Sequence, residues 1–301
     1  MTTVSDFSLE LRRPLLGSLG AYVRLTKPRV IELLLVTAVP PMFLAQPGWP
    51  SLGLVLAVVI GGAMAAGGAN TINCWMERDR DQLMRRTLSR PLPQGEIVPS
   101  RALAFGIVLN IVAFVLLASV ANVLAAALTL SATLFYVFVY TMWLKPRTVQ
   151  NIVIGGAAGA VPALVGWAAV RGSLAAPAWL LFAVVFFWTP AHFWALATKY
   201  KDDYAAAGIP MLPVVRGIEE TTRQIAGYAM VTVAVTFAMT LTGYVGRFYA
   251  VSVFVLGAAF VVRALALMRA PTPQAAIKFF AWSNVYLMLV FVAVAVDALI
   301  H

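Results

Sequence analysis

The chain has 301 residues, 61% of them hydrophobic and only 11% charged, whereas an ordinary soluble domain carries about 25% charged residues. That balance excludes a soluble fold and points to a bilayer, whose core of about 30 Å needs roughly 20 apolar residues per helix. The formal charge of +10 would suggest a nucleic-acid partner in a soluble protein, but its distribution along this chain argues against one, and the single cysteine, Cys74, excludes an intramolecular disulfide and a cysteine-rich metal site.

In chain order, Met1 to Thr26 mixes Asp6 and Glu10 with Arg12, Arg13 and Arg24. It has no apolar run followed by a small-residue cleavage site, and it reads as a cytoplasmic N-terminal segment without a removable signal peptide. The charge-poor stretch Leu33 to Met76 holds spans 1 and 2, separated by Pro47-Gly48-Trp49-Pro50. Ala102 to Leu144 holds spans 3 and 4, with a turn at Ala121-Asn122. Spans 5 to 9 follow at Thr148 to Val170, Gly172 to Thr198, Gln224 to Gly246, Phe248 to Met268 and Phe279 to Val296. The expectation is an all-α polytopic membrane protein of nine transmembrane helices forming one domain, 1–301. Long continuous apolar runs do not fit the alternating strands of a β-barrel. Threading nine helices from a cytoplasmic N-terminus puts 20 of the 22 Lys and Arg inside and leaves Arg171 and Arg247 outside. The positive-inside rule therefore places the C-terminus outside.

The acidic residues locate the chemistry. Of twelve, Glu77, Asp79, Asp81 and Glu96 follow span 2, and Asp202, Asp203, Glu219 and Glu220 follow span 6. Orientation requires only Lys and Arg there. Asn73, Glu77 and Asp81 stand at i, i+4, i+8, so a helix continuing beyond the membrane projects them from one face. Such a ladder suits Mg²⁺, which takes one or two carboxylates together with substrate phosphate oxygens. Arg85, Arg86 and Arg90 in the same loop offer charge-assisted bonds to a diphosphate. The plainer alternative is a set of i, i+4 ion pairs on a solvated helix end. A second cluster, Lys199-Tyr-Lys-Asp202-Asp203, lies where span 6 leaves the same face, suggesting pseudo-repeats (spans 1–4 and 5–9) facing one site. Lys145 and Arg147 after span 4 form either a third wall for an anion or plain topology determinants.

These residues resemble the UbiA superfamily of intramembrane prenyltransferases. The first signature of that superfamily, Asn-x3-Asp-x3-Asp followed by Arg-Thr-x2-Arg-Pro-Leu, is matched by Asn73, Glu77, Asp81, Arg86-Thr87 and Arg90-Pro91-Leu92, with Glu77 in place of the usual Asp. The quinone-pathway Asp-x3-Asp motif is not reproduced, and Lys199, Asp202 and Asp203 stand in its place. The segments Trp188-Thr-Pro190-Ala-His192-Phe193-Trp194 and Ala207-Gly208-Ile209-Pro210-Met211-Leu212-Pro213 resemble the heme-farnesylating branch, as do the entries Lys27-Pro28-Arg29-Val30 and Asn151-Ile152-Val153-Ile154-Gly155-Gly156.

The resemblance implies transfer of a farnesyl group from farnesyl diphosphate to a vinyl group of heme B, giving heme O. Asn73, Glu77, Asp81, Asp202 and Asp203 would be catalytic, with Asn73, Glu77, Asp81 and Asp203 on Mg²⁺. Arg86, Arg90, Lys145, Arg147 and Lys199 would hold the diphosphate. A heme A synthase would be a downstream partner, and the location would be the bacterial cytoplasmic (inner) membrane with the active site facing the cytoplasm. A quinone-pathway aromatic prenyltransferase and a secondary transporter are the alternatives, although transporter sites lie near the midplane.

His192 reads either as a heme contact or as a satisfied bundle histidine, and Glu32 as the partner of Arg29 or as a functional carboxylate. Asn110 could bond across helices or touch a propionate. Gly61-Gly62, Gly67-Gly68, Gly155-Gly156 and Gly159 look like close-approach surfaces between helices.

Overall fold

The computed structural model describes residues 15–300, and every regular element among them is helical. The elements are α1 (Leu15–Thr26), α2 (Pro28–Ala38), α3 (Pro40–Leu44), α4 (Leu52–Asp81), α5 (Pro99–Val120) and α6 (Val123–Leu134). A π-helix (Phe135–Leu144) continues α6. After it come α7 (Asn151–Arg171), α8 (Ala176–Lys199), α9 (Lys201–Ala206), α10 (Leu212–Val215), α11 (Gly217–Ala238), α12 (Arg247–Arg269) and α13 (Pro273–Ile300). Of the expected N-terminal segment, residues 1–14 lie outside the described ones, and the remainder is α1.

Among the described residues, eight helices are long and apolar enough to cross a bilayer. Span 1 differs from expectation, because it is broken. Pro40 and Pro41 cannot donate to the carbonyls a turn earlier, so the helix stops at Ala38 and restarts at Pro40. Together α2 and α3 cover about 26 Å at roughly 1.5 Å per residue. They start beside Asn70 and Asn73 of α4 and end in the turn that leads to Leu52, so they run the length of the bundle in two pieces.

Both expected turns are present. Gly48 takes φ 76°, and Asn122 caps α6 by accepting from Ala125 N at 2.9 Å while donating to Ala168 O of α7 at 2.7 Å. α8 is the central helix and packs on α7, α11 and α13. Large apolar side chains such as Ile111 and Val115 on α5 and Phe254 and Val262 on α12 remain exposed, as they would toward lipid. Exposed Trp49 and Trp179 mark one end of the bundle and exposed Trp143 the other, the positions of interfacial aromatic belts.

Glycines set the closest contacts. A Cβ on Gly68 would stand 2.6 Å from Gly106 O, and one on Gly166 would stand 1.8 Å from Ala38 O. Gly159 meets nothing within 4 Å, contrary to the close approach expected of it. Asp297, buried near the end of α13, accepts from Gly246 N at 2.6 Å and Tyr249 N at 2.9 Å, and so satisfies the first turn of α12 with a carboxylate.

Candidate functional site: an acidic ladder closed by cations

The last turns of α4 carry Asn73, Glu77 and Asp81 on one face, as their spacing predicts, and all three are buried. Each faces a cation from a different part of the chain. Lys27 Nζ, between α1 and α2, donates to Asn73 Oδ1 at 2.8 Å. Lys145 Nζ, just beyond the π-helix, lies 2.5 Å from Glu77 Oε1. Arg90 Nη1 donates to both oxygens of Asp81, at 2.8 and 2.7 Å. The ladder residues are buried, their cations are half-buried, and each pair joins separate elements. The expectation of i, i+4 pairs on a solvated helix end therefore does not describe Glu77 and Asp81.

Local structure explains the convergence. Lys27 adopts φ 54°, the left-handed region that non-glycine residues rarely enter, and so turns the chain between α1 and α2 beside Asn73. The π-helix widens the end of span 4. Thr141 Oγ1 donates to Tyr136 O at 2.8 Å and receives Asn73 Nδ2 at 3.2 Å, while Lys145 is delivered to Glu77. Thr87 Oγ1 donates to Asp81 O at 2.7 Å and holds the following loop so that Arg90 reaches back. An ion pair between Arg24 and Glu96 ties that loop to α1.

Burial pushes the Lys27 ammonium below the usual lysine range, and the charges of Arg90 and Lys145 push in the same direction. Burial also opposes the charge on Lys145, but Glu77, Tyr140 and Tyr204 outweigh it and raise that group to about 12. Arg90 is raised too, its burial being overcome by carboxylates including Asp81. The site therefore holds fixed positive charge beside its oxygens.

The second cluster reaches the first only in part. Asp203 Oδ2 accepts from Arg86 N at 3.3 Å, and the Arg86 guanidinium lies over the rings of Tyr200 (5.1 Å) and Tyr204 (6.0 Å). Asp202 and Lys199 are exposed, and Lys199 stands over Tyr200 at 5.4 Å. Arg147 donates to the carbonyls of Met142 and Trp143, so it closes its own helix end and does not join Lys145. A cavity of about 300 Å³ adjoins the ladder, lined by Met76, Glu77, Asp79, Arg80, Thr141 and Met142.

Sequence reasoning missed Lys27 and Thr141 as members of this constellation. A lysine immediately before the Pro28 that opens span 1 was the one available signal. No group of three His, Cys, Asp or Glu gathers as a ready metal site among the described residues. The donor set still fits a hard cation held partly by its substrate, with two carboxylates and an amide oxygen on one face. Glu77 Oε1 also has no directed hydrogen bond in the interior.

The remaining candidates resolve differently. His192 Nδ1 lies 2.7 Å from Ser283 Oγ, and the ring is stacked between Trp188 and Phe280. Asn110 accepts from Thr133 across helices at 2.8 Å and donates to Gly106 O. Glu32 and Arg29 are both exposed, and the expected pair between them does not form.

Fold and site together define an integral membrane protein of bundled helices with a charged, substrate-sized cleft at one end. Residues 33–289 match the UbiA prenyltransferase family, and the chain belongs to that family. Curated relatives include the protoheme IX farnesyltransferase of Salinispora tropica, 50% identical over 304 residues covering 100% of this chain and 95% of that protein. Protoheme IX farnesyltransferase 1 of Saccharopolyspora erythraea is 53% identical and covers 95% of this chain and 92% of its own length. Among solved structures, a digeranylgeranylglyceryl phosphate synthase superposes with a TM-score of 0.76 at 18% identity, over 94% of this chain and 99% of that one. A UbiA homolog from Archaeoglobus fulgidus bound to DMAPP and Mg²⁺ gives 0.65 at 20% identity, over 91% and 99%.

Proposed function

We propose that this chain transfers the farnesyl group of farnesyl diphosphate to a vinyl group of heme B, with water supplying the hydroxyl of the hydroxyethylfarnesyl product, giving heme O and diphosphate. The carrying observation is full-length identity of 50% or more to protoheme IX farnesyltransferases, joined to a buried ladder of oxygens interleaved with cations. Asn73, Glu77 and Asp81, with Asp203 approaching from the second cluster, would hold Mg²⁺. The metal would supply charge neutralisation for the leaving diphosphate. Lys145 and Arg90 add fixed positive charge around the same oxygens, with Lys27 and Arg86 beside them, in an environment where water is scarce and the attraction is strong. The apolar interior keeps an allylic cation from bulk water until the vinyl carbon attacks. Asp202, Lys199 and Arg147 are assigned outer roles on the diphosphate path.

This reading makes 1–301 one catalytic unit whose two halves face a common site, in the bacterial inner membrane with the ladder toward the cytoplasm. A heme A synthase is the partner that would consume the product. The test measures diphosphate release by purified protein given farnesyl diphosphate, with heme B or an aromatic acid as acceptor, with Mg²⁺ or EDTA. Release that needs both heme B and Mg²⁺ is expected. Release with the aromatic acid alone would favour the quinone-pathway reading, and accumulation of solute in proteoliposomes without release would favour a transporter.

A further inference from the structure

His192 and Trp188 stand one turn apart on α8 and both dock on a single residue of α13. Trp188 Nε1 donates to Ser283 O at 2.9 Å, and His192 Nδ1 lies 2.7 Å from Ser283 Oγ. All three residues are buried. Ser283 Oγ also lies 2.7 Å from Phe280 O of its own helix, and that carbonyl can only accept the single hydroxyl hydrogen. The remaining role of Oγ toward His192 is acceptor. Only with the proton on Nδ1 are both contacts of Oγ hydrogen bonds, and that tautomer leaves the lone pair on Nε2.

The ring cannot easily turn, because Trp188 stacks on it at 4.1 Å and Phe280 at 4.4 Å between centroids. Among the described residues no hydrogen bond reaches Nε2, and His192 keeps 6% of its surface exposed. A neutral imidazole with one nitrogen anchored through N–H to a fixed acceptor, the other bare, is the arrangement of a metal-ligating histidine. Its aromatic surroundings suit a flat apolar ring system.

We infer that Ser283 fixes His192 in the Nδ1–H tautomer so that Nε2 ligates the iron of the porphyrin substrate. This rests on the heme reading above, with Ser283 as a positioning residue. The experiment titrates the full-length protein in detergent with ferric protoheme and, separately, with metal-free protoporphyrin IX, following the visible spectrum. Wild type is expected to show an iron-dependent nitrogen-ligated spectrum. His192→Ala, or His192→Gln where the alanine variant is unstable, should lose it, and added imidazole should restore it in the alanine variant.

Ser283→Ala should weaken ferric heme binding about 10-fold or more while leaving metal-free porphyrin affinity unchanged, and Ser283→Thr should recover it. An unchanged iron spectrum in the histidine variants would overturn the inference. Equal loss of both porphyrins in Ser283→Ala would do the same, because it would reduce Ser283 to packing. If wild type shows the ligated spectrum but yields no farnesylated porphyrin from farnesyl diphosphate, the proposed function fails and the ligation stands.

Discussion

Asp81 is fully buried and, among the described residues, Arg90 alone pairs with its charge, so its two simplest substitutions should behave differently. Asp81→Ala leaves the guanidinium uncompensated in the interior and should cost about 3–5 kcal/mol of stability. Asp81→Asn keeps the volume and one acceptor, and should remain monodisperse in detergent while losing roughly 10²-fold or more in turnover. Thermal unfolding and product formation measured on both variants separate the effects, and normal turnover in Asp81→Asn would remove Asp81 from the chemistry. Asn73, Glu77 and Asp81 were legible because a helical period repeats along the chain. Their partners were not, since Lys27 and Lys145 arrive from distant segments and only packing brings them to α4. For His192 the sequence left two readings, and only the Ser283 hydroxyl distinguishes the ring nitrogens.

At the scale of elements, α7 presses against the break between α2 and α3 at Gly166. Any Cβ there would collide with backbone, so Gly166→Ala should force a shift of α2 costing about 1–3 kcal/mol or more and lower the melting temperature in detergent. Gly159→Ala, with open space around it, should be neutral or stabilising by up to about 1 kcal/mol, because alanine is the better helix former. Equal destabilisation by both would contradict the packing described. Glycine content pointed to close helices, but only the rotation of α7 decides which glycine meets a neighbour. The π-helix was likewise invisible, since Phe135 to Leu144 reads as an ordinary apolar run. The break at Pro40-Pro41 is legible in the prolines alone, because two successive residues without an N–H cannot continue the helical ladder.

For the whole molecule, α2 and α3 decide the topology. If the pair crosses the bilayer, the chain makes nine passes and its ends lie on opposite sides. A reporter after His301 should then be external and one in the Pro93–Pro99 loop cytoplasmic. Reporters on the same side would mean that the broken helix only dips into the membrane. The placement of charge agrees with the crossing: by connectivity, Arg171 and Arg247 sit at the opposite end of the bundle from the ladder, with the other described Lys and Arg toward the ladder.

The central claim is that the ladder and its cations drive farnesyl transfer to heme. Mass spectrometry of the porphyrin after incubating reconstituted protein with Mg²⁺, farnesyl diphosphate and heme B tests it most directly. The account predicts a hydroxyethylfarnesyl porphyrin with wild type, none with EDTA, and only traces with Asp81→Asn. Unmodified heme B from folded wild-type protein, or the same product yield without Mg²⁺, would contradict it.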